Sequence, residues 1–253
     1  MISVAMLAFP AGIIIASVVS AVGIGGGILW MPFFILFLKL TPETAVVTSL
    51  LVQTAGMGSG SLAFIRKGTA DLPLAGFFLA LTIPGLALGA LFTRLLSSAN
   101  LELALGILTI TTAFLFVSVN HKYADTGMHR VPVKRAFRYS GIIAGLAVAS
   151  GMLSVSIGEW LVPLMRSQLK LRMRAAVATS IVTIFGTCVA GAIFHLMFGA
   201  VANASVFIWA VPGVIIGGQI GPRLTEKINE RMLKDVFVFL LTLIGIHLIY
   251  NSY

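Results

Sequence analysis

Two short segments hold the residue types from which an anion site can be built without a fixed positive charge. Gly23-Ile-Gly-Gly-Gly27 precedes Pro32, and Ser154-Val-Ser-Ile-Gly158 precedes Pro163. Such runs ahead of a proline break a helix, and a half-helix that restarts after the break leaves its first N–H groups unpaired. Those groups, with the positive end of the helix dipole, attract anions. The candidate donors are the backbone at Gly25, Gly26 and Gly27, and Ser154 and Ser156 in the second segment. Thr48-Ser49 and Thr179-Ser180 follow the two breaks and can add hydroxyl donors, and Gln53 lies about one turn beyond the first pair. Each feature also has a plainer use. Glycine patches let helices cross closely, and Ser or Thr in an apolar helix bonds back to the i−4 carbonyl.

Glu159 is an acid inside an apolar stretch, away from its ends. Intramembrane carboxyls are costly and usually functional, which makes Glu159 a candidate proton carrier. Ser156-Ile-Gly-Glu159 also has capping-box spacing, so Glu159 can instead close the start of a half-helix. His195 and His247 lie near helix ends and read as packed or interfacial, and Cys188 as a small core residue.

The elements that must position these groups follow from composition. Of 253 residues, 58% are hydrophobic and 10% charged, against about 45–50% and about 25% in soluble domains. A water-soluble enzyme or a DNA-binding protein is excluded, so no nucleic acid is expected as a partner. The net charge of +9 comes from scarce acids and from 17 Lys and Arg gathered in short loops. One Cys excludes a disulfide framework and a multi-Cys metal site. Met1 to Val22 lacks a Lys or Arg before its apolar run, so it reads as part of the mature protein rather than a signal peptide.

A spanning helix needs about 20 apolar residues. The apolar stretches run over 3–38, 44–65, 72–96, 101–119, 139–165, 175–198, 203–222 and 233–250. The first and fifth are the interrupted ones. They belong to a repeat: Pro32, Thr48-Ser49, Gly60 and Gly68 recur 131 residues later as Pro163, Thr179-Ser180, Gly191 and Gly199. Ile83-Pro-Gly85 and Gly89 recur after 128 as Val211-Pro-Gly213 and Gly217. The expected organisation is therefore a repeat over 1–119, a basic linker over 120–137 and a second repeat over 138–253.

Charge sets the topology. If all eight stretches cross, Lys and Arg divide 7:10 between the two sides, with no bias. If the broken stretches are re-entrant hairpins, only Lys39 and Arg94 stay on one side and fifteen lie on the other. That split fits the positive-inside rule. Each half then has three crossings, so the halves are inverted. The expected fold is an all-α polytopic membrane protein of two inverted repeats, each a broken re-entrant hairpin plus three transmembrane helices. The central loop faces the cytoplasm and both termini face the periplasm. Inverted repeats with broken helices at the midplane are a transporter architecture.

Gly-Ile-Gly-Gly-Gly-Ile-Leu-Trp-Met-Pro32, the Thr48-Ser49 pair and the degenerate second copy ending Leu161-Val-Pro163 resemble the TauE/SafE sulfite exporter family over nearly the whole chain. The resemblance implies a permease of the bacterial inner membrane that carries sulfite, thiosulfate, a sulfonate or another small organic oxyanion. Ser156, Ile157 and Glu159 depart from the family's glycine-rich form within the expected site. The reading is thus a secondary transporter working by alternating access, with proton coupling through Glu159 and no cofactor. Its partners are a small anionic substrate and the lipid bilayer. Two rivals differ in class. A metal-cation transporter would need several intramembrane acids, His or Cys. An intramembrane serine protease would need Gly-x-Ser-Gly and a mid-membrane His, where the chain has Met57-Gly-Ser-Gly60.

Overall fold

The chain is helical wherever a long apolar run lacks a Gly or Ser cluster, and it breaks at the two places where one occurs. The computed structural model describes residues 2–118, 127–224 and 230–251. A short α1 (Ile2–Ala5) leads into α2 (Ala8–Val22). The break over 23–26 follows, then α3 (Gly27–Pro32), which runs on as a π-helical turn, Phe33–Phe37. Next come α4 (Pro42–Arg66), α5 (Leu72–Leu95) and α6 (Ser98–Ser118). The second half of the chain repeats this order with α8 (Ser140–Leu153), a break over 154–157, α9 (Gly158–Ser167), α10 (Met173–Met197), α11 (Ala204–Leu224) and α12 (Glu230–Asn251). Among the described residues there is no strand, only an isolated parallel bridge between Met128 and Leu171.

Of the linker expected over 120–137, residues 127–137 are described and end in a five-residue helix α7 (Val133–Phe137). Residues 120–126, with Lys122, lie outside the described residues, as does Lys227. α5, α10 and α11 are each long and apolar enough to cross a membrane. α4 is equally long but its Ser, Thr, Gln and Gly residues lower its hydropathy. They fall on its buried face, where Thr48, Ser49, Gln53, Gly56 and Gly60 are all shielded.

Close helix packing fixes the direction of every segment. Gly12 of α2 rests on the backbone at Ala210 and Val214, Gly213 on that of Phe9, and Gly217 on that of Ile13. α2 and α11 are therefore parallel, with Gly213, Gly217 and Gly221 forming a small-residue seam of the type that lets membrane helices approach. α5 and α8 repeat the arrangement, with Gly85 against Ala144 and Ala147, and Gly89 against Val148. α4 and α10 are antiparallel: Ser61 Oγ donates to the Ile181 carbonyl (3.2 Å), while Leu50 lies against Gly191.

These directions make both broken segments hairpins. α2 runs parallel to α11, and so does α4: Thr48 near its start accepts a hydrogen bond from the amide of Asn203, just before α11 (2.9 Å), and Gly56 further along lies on Val214. Between two parallel helices the chain has to return, so the path α2–break–α3 doubles back on itself. The second path does the same on the opposite side. α8 runs parallel to α5, and so does α10: Thr179 near its start accepts from the amide of Asp71, just before α5 (2.9 Å), and Gly186 further along lies on Leu79.

The backbone carries a matching signature. Left-handed φ values occur at Gly23 (81°) and Ser154 (56°), at Lys39 (54°) and Lys170 (55°), and at Gly68 (66°) and Gly199 (85°). Each pair is separated by the same 131 residues as the sequence motifs. Gly127 is the remaining case among the described residues.

Candidate functional site

Each half-helix arises from a local stop signal. α2 ends where Gly23 turns left-handed, with its own N–H and that of Ile24 both donating to the Val19 carbonyl (2.9 and 3.2 Å). Glycine reaches this conformation without a Cβ penalty. α8 ends the same way at Ser154, a non-glycine residue held at φ 56°. Pro32 and Pro163 sit inside the returning half-helices.

The two breaks meet. A side chain on Gly25 would land on the Ser156 side chain, and one on Gly27 on the carbonyl oxygen of Ser154. From the other side, a side chain on Gly158 would meet Ser180 Oγ at 2.7 Å and the Gly23 carbonyl at 2.9 Å. Ser180 Oγ donates to that carbonyl (2.7 Å), closing the open end of α2. Gln53 does the equivalent work for α8. Its Nε2 lies 3.3 Å from the Ser154 carbonyl, 3.1 Å from Ser154 Oγ and 2.9 Å from Ser49 Oγ.

The junction is buried yet its polar groups are incompletely paired. The amides of Gly25, Gly26 and Gly27, and those of Val155, Ser156 and Ile157, have no hydrogen-bond partner among the described residues. Neither do Ser156 Oγ, Gln53 Oε1 or the two carboxyl oxygens of Glu159. Orphaned buried N–H groups are rare, and a cluster of them calls for a missing partner such as a water or an ion. The cluster is rich in donors, and none of the residues brought together in it is a Lys or Arg. Glu159 is 2% exposed, in the first turn of α9. The capping box that its spacing allows is not formed: Ile157 is the N-cap, and neither Ser156 nor Glu159 supplies a capping bond.

Gly25, Gly26, Gly27, Ser49, Gln53, Ser154, Ser156 and Ser180 are therefore brought together, with Glu159 three residues beyond Ser156. Thr48 and Thr179 are not part of the cluster. One residue further back on the helix turns them by about 100° from their serine neighbours. Thr48 Oγ1 donates to the Thr44 carbonyl (2.6 Å) and accepts from Asn203, while Thr179 Oγ1 accepts from Asp71. Both tie one half of the chain to the other. Replacing Thr48 or Thr179 by Val leaves a buried amide unpaired, a cost of about 1–3 kcal/mol. The expected result is a lower unfolding midpoint with ligand affinity unchanged. A titration of either variant showing an affinity loss without a stability loss would return these hydroxyls to the site.

Several contributors escape a sequence reading. The indole edge of Trp30 fills the space beside Gly26, where an added side chain would meet its Cδ1 at 2.8 Å. Asp71 and Asn203 cap α5 and α11 through Leu74 and Val206. The signal for Asp71 was present as an acid just before Leu72-Pro73. His195 is packed, and its Nε2 lies 2.8 Å from the Gly151 carbonyl, while Thr93 Oγ1 donates to that of Met152 (2.9 Å). Both close the end of α8. Cys188 is free and buried in α10. Ser59 of the protease-like run donates to the Ile215 carbonyl and receives Gln219 Nε2 (2.8 and 2.9 Å). No group of three His, Cys, Asp or Glu suited to a metal occurs among the described residues.

With this geometry in place, the relatives of the chain can be compared. YunE of Bacillus subtilis (strain 168), a probable membrane transporter protein, is 29% identical over 264 residues, spanning 95% of this chain and 96% of that protein. MamO of Paramagnetospirillum magneticum, likewise a probable membrane transporter protein, is 29% identical over 111 residues, 41% of this chain and 17% of its own length. MamO of Magnetospirillum gryphiswaldense is 28% identical over a segment of the same size. No solved structure matches. The family profile "Sulfite exporter TauE/SafE" matches residues 8–248. A multi-pass, all-helical membrane transporter is what the apolar helices and these relatives jointly describe, and the chain belongs to the TauE/SafE sulfite exporter family.

Proposed function

We propose that the chain is a secondary permease for a small sulfur-containing or organic oxyanion such as sulfite, thiosulfate or a sulfonate, bound where the two breaks meet. The observation that carries this reading is the buried cluster of unpaired backbone amides at Gly25–Gly27 and Val155–Ile157. An anion leaving water needs several hydrogen bonds to replace its hydration. Here they come from neutral donors, so the loaded site carries only the ligand's own charge. The family's name, sulfite exporter, favours the sulfur-oxyanion class.

The reading includes two inverted repeats, 1–119 and 138–253, joined by the linker over 120–137. The 131-residue pairing of left-handed residues and the opposite directions of α4 and α10 support it. In an inverted pair, closing one hairpin's side while opening the other gives alternating access around a fixed site. Arg66, Lys67, Arg166, Arg172 and Arg174 flank helix ends on the side where α5, α8 and α10 begin. We assign that side to the cytoplasm of a bacterial inner membrane and both termini to the periplasm.

Glu159 serves as the proton carrier in this scheme. Ionised, it would face the desolvation cost of a buried charge with no partner group to offset it.

Uptake of sulfite, thiosulfate, sulfoacetate and taurine by proteoliposomes tests the function. Saturable uptake of at least one of the four, competed by the others, is expected. Carriage of divalent metal cations with none of the four would favour the metal-cation alternative instead. A periplasm-active reporter should work after Tyr253 and be silent within the central loop, and the reverse pattern would invert the orientation.

A further inference from the structure

We infer that the site selects an anion that carries its own O–H or N–H donor, and that Gln53 Oε1 is the acceptor that recognises it. The inference rests on the anion reading above and specifies the ligand within it.

Gln53 is 1% exposed. Its amide end lies at the junction itself, with Nε2 3.1 Å from where a side chain on Gly27 would begin and Cγ 3.4 Å from the same point on Gly26. The orientation of the amide is determined by its surroundings. The Ser154 carbonyl can only accept, so the group facing it at 3.3 Å is the NH2 end. That places Oε1 in the junction, buried, with no partner among the described residues. A buried carbonyl oxygen without a donor is a standing cost, and a ligand donor removes it.

The rest of the junction offers mainly donors, which suit the ligand's negative oxygens. An anion with no hydrogen to give would satisfy those donors and leave Oε1 unpaired. One with a donor would satisfy both. Sites built to pair a ligand O–H or N–H discriminate strongly against analogues that lack it.

The Gln53 amide has no counterpart in the second half. The position 131 residues beyond Gln53 is Ile184, whose Cδ1 lies beside Gly158 as Gln53 Nε2 lies beside Gly27. Two breaks of similar backbone therefore carry different walls. At matching positions one wall carries an amide and the other an aliphatic side chain, so a bound ligand has a preferred orientation.

The test compares 2-hydroxyethanesulfonate with ethanesulfonate, which share a headgroup and a charge and differ in one O–H. Equilibrium binding is measured on the purified full chain. Wild-type protein is expected to bind the hydroxylated sulfonate at least tenfold more tightly. Gln53→Met, similar in volume but without the acceptor, should bring the two affinities within about twofold of each other, whatever their common level. Equal wild-type affinities overturn the inference and leave the anion site standing. Discrimination that survives in Gln53→Met removes Gln53 from the role. If neither sulfonate binds, this inference falls, and the anion reading is decided separately by the uptake of sulfite and thiosulfate. The wild-type comparison does not depend on the variant folding.

Discussion

Gly27→Ala is expected to abolish transport, with a loss of more than 100-fold in uptake rate. The added methyl would sit on the carbonyl oxygen of Ser154, which is backbone and cannot rotate aside. That carbonyl is also held in place by Gln53 Nε2. The second break must therefore move away from the first, and the two sets of amides no longer face one ligand. Overpacking alone costs roughly 1–3 kcal/mol. Loss of two donors to a charged ligand, at about 1.5–3 kcal/mol each, lowers affinity by a further ~100-fold or more. Gly76→Ala is the control, since nothing lies within 4 Å of an added methyl there. It should transport normally. Uptake and thermal unfolding measured side by side would decide the matter, and near-normal affinity in a folded Gly27→Ala protein would remove the junction as the binding site.

Glu159→Gln should eliminate accumulation driven by a pH gradient while leaving binding and substrate exchange in place. The amide keeps the shape of the side chain but cannot exchange a proton at neutral pH. The absence of any hydrogen bond to the carboxyl sharpens the expectation. Gln keeps any capping geometry, so the change isolates the proton role. Removing a buried group that can ionise should leave the unfolding midpoint unchanged or higher. The measurement is uptake into proteoliposomes with and without an imposed gradient, with a melt of each protein. Retained gradient-driven accumulation would take the proton role away from Glu159, and a fall in stability would point to a structural one.

How far the sequence could be read depended on the range of the interaction. Helix limits were legible because they are local: the apolar stretches 72–96 and 175–198 correspond to Leu72–Leu95 and Met173–Met197. The breaks were legible because glycine and proline act on their own backbone. The charge split made re-entrant hairpins the expectation, because charge senses the side of the membrane rather than any one contact. What stayed hidden was rotation about a helix and pairing across it. Thr48 and Ser49 are adjacent letters, yet one faces Asn203 and the other Gln53. Ser154 was visible as a donor but not as a left-handed cap. Its bond to Gln53 spans 101 positions, beyond the reach of any local pattern. The π-helical turn after Pro32 has no counterpart after Pro163, although both segments carry the proline.

The pairing of α2 with α11 and of α8 with α5 also constrains how the molecule is made. Neither half of the chain encloses its own hairpin, because the outer arm of each lies on a helix of the other half. When α2 leaves the ribosome its partner seam at Gly213, Gly217 and Gly221 does not yet exist. At ~5–20 residues per second, the ~180 residues from Val22 to Ala204 take roughly 10–40 s to synthesise. Throughout that interval Gly12 and its neighbours face lipid or insertion machinery, and the glycine turn at its end has nothing to rest against. The first half is thus delivered to the membrane as an open template, and the emergence of α11 is the event that closes it.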